Sequence, residues 1–232
     1  MKKAFRYLLI TVFTAVICLC GYKLYEISER YIYEARLKEQ LKEYRPETTA
    51  EFVTNQHIVD LQNEVNRHIV GWLTIPDTGI DYPFVLPPDN SYYLKKDLYG
   101  NYAEAGSIFM DYRCSAAFTD FNTIIYGHNM RNNSMFGDLR LFADESFFDS
   151  NLRGTIFLKD RTYTLDFFAY MIVRSDNKVI YEVPGNRIEL LRYIKENARN
   201  YREPYKSSRI VTLSTCSSES NDARIVLIAV IE

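Results

Sequence analysis

From Gly71 onward the chain passes through eight short apolar segments rich in β-branched and aromatic residues. They are WLTIP (72–76), IDYPFVL (80–86), SIFMDY (107–112), NTIIYGHN (122–129), GTIFLKD (154–160), TYTLDFFAYMIVR (162–174), RIVTLSTC (209–216) and ARIVLIAVIE (223–232). Pro, Gly, Asp and Asn punctuate them, which is the pattern of strands ended by turns. Eight such segments at irregular spacing predict a mainly β domain, either a barrel or a sandwich. Helical interruptions are expected at about 134–147 and 186–199, and no internal repeat, heptad or low-complexity tract competes with this reading.

The N-terminus follows different rules. MKKAFRYLLITVFTAVICLCGYKLYE carries Lys2, Lys3 and Arg6 and then no charge from Tyr7 to Tyr22. Counted from Ala4, with Arg6 snorkelling, the run is 19 residues, close to the ~20 that cross a bilayer as a helix. The residues after it are bulky, so no small-residue cleavage site is evident and an uncleaved signal-anchor is expected rather than a removed signal peptide. The basic flank predicts a single-pass protein with a cytoplasmic N-terminus and everything from residue 24 outside the cell. Residues 24–44 are charged and helix-favouring, with two apolar stripes on roughly opposite faces, which suits a stalk or a helix packed on the domain. RPETTAE (45–51) breaks that pattern, and a second helix is expected from Thr49 and Phe52 through His68. The expected organisation is therefore a tip and membrane span over 1–23, helices over 24–69, and a β domain over 70–232.

A formal charge of −2 and the lack of an Arg/Lys stripe interleaved with aromatics argue against a nucleic-acid partner. Of four cysteines, Cys18 and Cys20 fall in the apolar run, leaving Cys114 and Cys216 for the outer domain. Two cysteines make no disulfide framework, and no Cys/His spacing suggests a metal.

Cys216 ends the strand Thr212-Leu213-Ser214-Thr215-Cys216, where either packing or chemistry would explain it. A thiol attacks a carbonyl as thiolate, which requires a base or a cation nearby. His57 and His68 sit in the expected helix before the β domain, at positions suited to surface or packing. His128 is different, because it follows the apolar strand TIIY and Gly127 at the point where strand meets loop. Arg224 lies on the segment after Cys216, across a polar loop. If the two segments pair as an antiparallel hairpin, Cys216 and Arg224 are ~5 Å apart at its open end. Arg224 is also the one charge between Ala223 and Ile231, where burial is costly unless a partner uses it; Asp222 or Glu219 would be structural partners. A Cys, a His and an Arg together supply nucleophile, general acid/base and oxyanion stabiliser for acyl transfer.

These motifs resemble the sortases, the cysteine transpeptidases of Gram-positive bacteria. The TLxTC strand of that family is matched by Thr212 to Cys216, its upstream histidine by His128 and its arginine on the next strand by Arg224. VGWLTIPDTGIDYPFV (70–85), DNSYYLKKDLYGNY (89–102), AGSIFMDYR (105–113) and YGHNMRNNSMFGDLRLF (126–142) resemble class B in particular. The resemblance implies an eight-stranded β-barrel, with N-terminal helices before it and a helix-bearing insertion (175–208) before the cysteine strand. It implies that a secreted protein's C-terminal sorting signal is cleaved after a threonine through a thioacyl bond to Cys216. An amine of peptidoglycan or its lipid-linked precursor would then resolve that bond. By analogy, Ser214, Thr215, Tyr181 and Glu182 would contact the sorting peptide, and no cofactor or metal is implied. Two alternatives stand beside this reading. One is another extracellular cysteine peptidase or transpeptidase, although the SHGC motif of wall L,D-transpeptidases is absent and papain-like enzymes carry Cys and His in the reverse order. The other is a non-catalytic wall-binding domain in which Cys216 packs. Cys114, after SIFMDYR, is expected to be structural.

Overall fold

The computed structural model describes residues 2–47, 54–204, 209–216 and 222–231, with Lys2 and Cys216 described by their backbone alone. It contains two compact units, Met1–Glu43 and Tyr44–Glu232. The first is one helix, α1 (Lys2–Leu41). It joins the expected membrane span to the expected stalk without a break, because the segment contains no proline and Gly21 is a single interruption costing about 1 kcal/mol. Phe5, Leu8, Phe13 and Leu19 are exposed along it, and it holds a stretch long and apolar enough to cross a membrane.

In the second unit all eight expected segments are strands. They are β1 (Ile69–Thr74), β2 (Asp81–Val85), β3 (Ile108–Met110), β4 (Asn122–His128), β5 (Arg153–Leu158), β6 (Thr162–Arg174), β8 (Ile210–Cys216) and β9 (Ala223–Ile231). They pair in the order β1-β2-β3-β4-β8-β9-β6-β5, and β5 pairs back onto β1 to close an eight-stranded barrel. A two-residue strand that the sequence did not suggest, β7 (Asn200–Tyr201), pairs with β6 outside the closed ring. Most neighbours are antiparallel, but β2 with β3 and β4 with β8 are parallel.

Leu73, Phe84, Ile125, Ile156, Leu165, Leu213 and Leu227 fill the barrel. A second layer lies outside it, where Val226, Ile228 and Val230 of β9 pack with Met171 and Val173 under Ile180, Leu190 and Ile194. β9 is thus buried on both faces, which is why ARIVLIAVIE is continuously apolar rather than alternating. Each Leu or Ile removed from water in this way contributes ~1.5–3 kcal/mol.

The helices covering β9 belong to the insertion: α4 (Lys178–Tyr181) and α5 (Arg187–Asn197). Asn186 caps α5, its Oδ1 accepting the Ile188 and Glu189 N–H groups at 3.0 and 3.2 Å. The helix expected at 134–147 is a 3-10 turn over Gly137–Ala143 followed by α3 (Glu145–Ser150). Asp144 separates the two by capping α3 through the Phe147 N–H at 2.9 Å. Of the helix expected before the barrel, residues 49–53 lie outside the described residues. The rest is α2 (Gln56–Asp60) and a wider turn over Leu61–Val65. It stops there because Asn66 is extended, its amide donating to Tyr93 Oη at 2.8 Å and to the Leu98 carbonyl at 2.6 Å. His57 is exposed, and the His68 Nδ1 meets Tyr93 Oη at 3.0 Å.

Candidate active site

Strand register brings the three distant chemical residues together. β4 and β8 run parallel in a register that pairs His128 with Cys216, and parallel neighbours lie ~4.8 Å apart. β8 and β9 form the expected antiparallel hairpin, with Ser214 opposite Val226. Arg224 lies two residues before Val226 on β9, and on its other side it pairs with Val173 of β6. Alternation then assigns faces. Leu213 and Leu227 point into the barrel, and a Cβ on Gly127 would lie 2.5 Å from Ile108 and 2.7 Å from Phe136 of the same core. Positions 126 and 128, 214 and 216, and 224 and 226 therefore share the outer face.

His128 is almost fully buried, and its Nε2 lies 2.7 Å from the Leu94 carbonyl. A carbonyl oxygen only accepts, so Nε2 carries the proton and Nδ1 is the basic nitrogen of the neutral ring. Leu94 is itself held from behind. Its N–H donates to the Ser91 carbonyl at 3.2 Å, and the Ser107 N–H donates to the Tyr93 carbonyl at 3.1 Å. Gly106, at φ +59°, passes so close that a Cβ would sit 2.5 Å from the Tyr93 oxygen and 2.6 Å from the Leu94 oxygen. Arg224 is half-buried, and its Nη1 donates to the Ala223 carbonyl at 3.2 Å. Of the structural partners expected for it, Asp222 pairs instead with Arg174 at 3.6 Å, and Glu219 lies outside the described residues.

Beside these strand ends stands a hydrogen-bonded wall. The Tyr181 hydroxyl and Ser214 Oγ are 2.8 Å apart, and the Tyr181 ring lies 6.3 Å from that of Tyr126. Arg113 locks Tyr181 in place: its Nη2 donates to the Tyr181 carbonyl at 2.9 Å, while Nε and Nη2 form a fork onto Asp111 at 2.8 and 2.7 Å. Asp111 is fully buried and also accepts from Tyr126 Oη at 3.0 Å and Asn90 Nδ2 at 2.9 Å. Burial pushes its carboxyl up, but the bonds from Arg113 and Asn90 outweigh that and hold it below the usual range. The paired Arg113 is correspondingly pushed up.

Two of the four expected substrate contacts, Tyr181 and Ser214, are thus brought together. Thr215 falls on the inner face, 2% exposed, with its Oγ1 accepting the Ile225 N–H at 3.1 Å. Glu182 is exposed at the end of α4, its N–H donating to the Lys178 carbonyl. Sequence reasoning missed Asn90, Leu94, Asp111 and Arg113. An Asp-x-Arg after a strand was the available signal, but nothing local marks that aspartate as buried. Cys114 is buried with its thiol pushed up to about 11 by desolvation, as suits a structural residue. Among the described residues no group of three or more His, Cys, Asp or Glu side chains is placed to hold a metal.

Comparison with known proteins turns this geometry into a family. The family model for the Sortase domain matches residues 73–232. Sortase B of Listeria monocytogenes is 40% identical over 167 residues, covering 70% of this chain and 68% of that protein. This chain belongs to the sortases, class B. Among solved structures, sortase B of Bacillus anthracis matches with a TM-score of 0.76 at 31% identity, over 88% of this chain and 98% of that one. Spy0129 of Streptococcus pyogenes, a class B sortase involved in pilus biogenesis, matches with a TM-score of 0.70 at 35% identity, over 75% and 97% of the two chains. The eight-stranded barrel is the sortase fold, and the activity that goes with it is transpeptidation: a sorting signal is cleaved and the protein carrying it is joined to a cell-wall amine.

Proposed function

We propose that this sortase is a cysteine enzyme anchored by α1, with its N-terminus in the cytoplasm and its barrel outside, and that Cys216, His128 and Arg224 carry the reaction. The observation that supports this most is the parallel register of β4 and β8, which pairs His128 with Cys216 and leaves Arg224 on the adjoining strand. The Cys216 thiolate attacks the threonine carbonyl of the sorting signal, forming a C–S bond and a tetrahedral oxyanion beside the Arg224 guanidinium. The C–N bond then breaks, and the departing amine takes a proton from His128. An amine of peptidoglycan or its precursor yields a proton to His128 and attacks the thioacyl carbon. The C–S bond breaks, a new amide forms and the thiolate is restored. Tyr181 and Ser214 flank the sorting peptide, Thr215 contributes by holding β9 through Ile225, and Glu182 lies at the exposed end of that wall. The lysines and arginine before the apolar run of α1 support the orientation.

Mass spectrometry of the protein mixed with a library of sorting-signal peptides tests this reading. The expected product is an acyl adduct on the peptide carrying Cys216, whereas Cys114 stays unmodified; an adduct elsewhere, or none with any library member, would sink the assignment.

Because Gly106 supports the carbonyl that orients His128, Gly106→Ala is expected to lower kcat/KM at least ~100-fold, the cost of misplacing a catalytic group by about an ångström. Gly100 is the control: its φ is also positive, at +84°, but a Cβ there meets nothing within 4 Å. Gly100→Ala is expected to lose only about 1 kcal/mol of stability and to keep its turnover. Equal activity in the two variants would exclude the Leu94 carbonyl from positioning His128.

A further inference from the structure

Packing explains many of the tyrosines here: Tyr82, Tyr93, Tyr163 and Tyr170 are all buried. It does not explain Tyr92, Tyr99, Tyr102 and Tyr112. Seven large hydrophobic side chains stand exposed among the described residues of the second unit, and these four tyrosines are among them, within 21 residues. They are 37% to 65% exposed, and none of their hydroxyls has a hydrogen-bond partner among the described residues.

Hydrogen bonds tie the segment carrying them together. Buried Asp97 organises its turn, its Oδ1 accepting the Tyr99 N–H at 2.9 Å and the Asn101 N–H at 2.8 Å. The arms pair through Ala103 N–H to the Lys95 carbonyl at 3.1 Å and through a bridge between Lys96 and Tyr102. Lys96 Nζ sits 3.8 Å over the Tyr92 ring, that ring packs edge-on against buried Tyr93 at 4.9 Å, and the backbone N–H of Tyr112 donates to Asn90 Oδ1 at 3.0 Å. The platform abuts the candidate active site. Leu94, whose carbonyl holds His128, lies within it, and Ser107 Oγ donates to the Lys96 carbonyl at 2.8 Å from the start of β3.

Exposed tyrosine rings on a hydrogen-bonded backbone, with phenols open to solvent and the exposed Lys95 nearby, suit a ligand that has apolar CH faces and a rim of hydroxyls. That is the surface of a saccharide, and such a contact costs little conformational entropy. We propose that this tyrosine platform is the acceptor-side subsite of the sortase, binding the saccharide backbone of the peptidoglycan whose amine is acylated. This rests on the proposed role of His128, which takes the proton of the incoming amine. A platform built onto the buttress of that histidine holds the body of the acceptor while its amine reaches the thioacyl bond.

The test is the Tyr99→Ser/Tyr102→Ser double variant of the full chain, with its fold checked by circular dichroism. Transfer is measured from one sorting peptide to two acceptors, a disaccharide-bearing muropeptide with a free side-chain amine and hydroxylamine. The KM for the muropeptide is expected to rise about tenfold relative to the KM for hydroxylamine. An equal change with both acceptors, or a rise in the KM of the sorting peptide instead, would overturn the assignment. Direct titration with glycan strands stripped of stem peptides separates this inference from the catalytic one, because it needs no turnover. Saturable binding weakened about tenfold in the double variant is expected, and no binding to the wild-type chain would overturn the subsite even if the thioacyl enzyme forms.

Discussion

Cys216→Ala is expected to stop cleavage of the sorting signal altogether while leaving the barrel folded. Cys216 ends β8, and the core contacts of that strand are made by Val211 and Leu213, so losing the thiol is expected to remove chemistry rather than packing. His128→Ala and Arg224→Ala are expected to lower kcat/KM by roughly 10⁴-fold or more, and combining any two adds little, because residues that act as one unit lose their effect together. Arg224→Lys keeps the charge but loses the planar fork, and only part of the rate is expected to return. Steady-state kinetics on a sorting-signal peptide, with thermal melts of each variant, measures both sides of this prediction. Near-normal turnover in Arg224→Ala would remove the oxyanion role from Arg224. A collapsed melt in Cys216→Ala would return Cys216 to a packing role.

The second large effect concerns stability. Asp111 is fully buried and accepts five hydrogen bonds, from the two fork nitrogens and the backbone N–H of Arg113, from Tyr126 and from Asn90. Asp111→Ala strands those donors, and a loss of about 3 kcal/mol is expected, at the low end of the range for breaking a buried pair because Arg113 keeps a third of its exposure. The effect has a pH signature. The folded carboxyl titrates below its ordinary value, so its stabilisation is complete above the unfolded pKa of about 4 and is lost as pH falls through the lower folded value. Asp111→Asn is expected to be less stable at neutral pH and to flatten the acid limb of the stability curve. Chemical denaturation between pH 3 and pH 7 measures this, and an unchanged acid limb would mean that Asp111 does not carry it. Because Arg113 links Asp111 to the Tyr181 carbonyl, the same variants should also raise KM for the sorting peptide.

The strands were legible because each has a local signature. β6 and β9 are long β-branched and aromatic runs, and Asp, Ser and Asn flank them, so boundaries read from composition fall within three residues of those observed. β7 was illegible, since Asn200 and Tyr201 are strand residues only because β6 offers an edge. The helical interruption expected at about 134–147 is present, divided in two because the Asp144 cap ends the first turn and restarts the chain as α3.

The residues of the candidate site divide along the same line. By itself the sequence determined which side chains are candidates for reactive chemistry, that His128 and Cys216 end strands, and that Arg224 lies within a run otherwise too apolar for a charge. These are statements about periodicity and residue type, which depend on neighbours a few positions away. The tertiary structure decided what surrounds them. The pairing of β4 with β8 across about 90 residues, the Leu94 carbonyl that selects the His128 tautomer and the buried charge of Asp111 behind Tyr181 all depend on which segments barrel closure brings together. Burial and hydrogen-bond partners exist only once distant strands are in contact, so no local pattern in the chain encodes them.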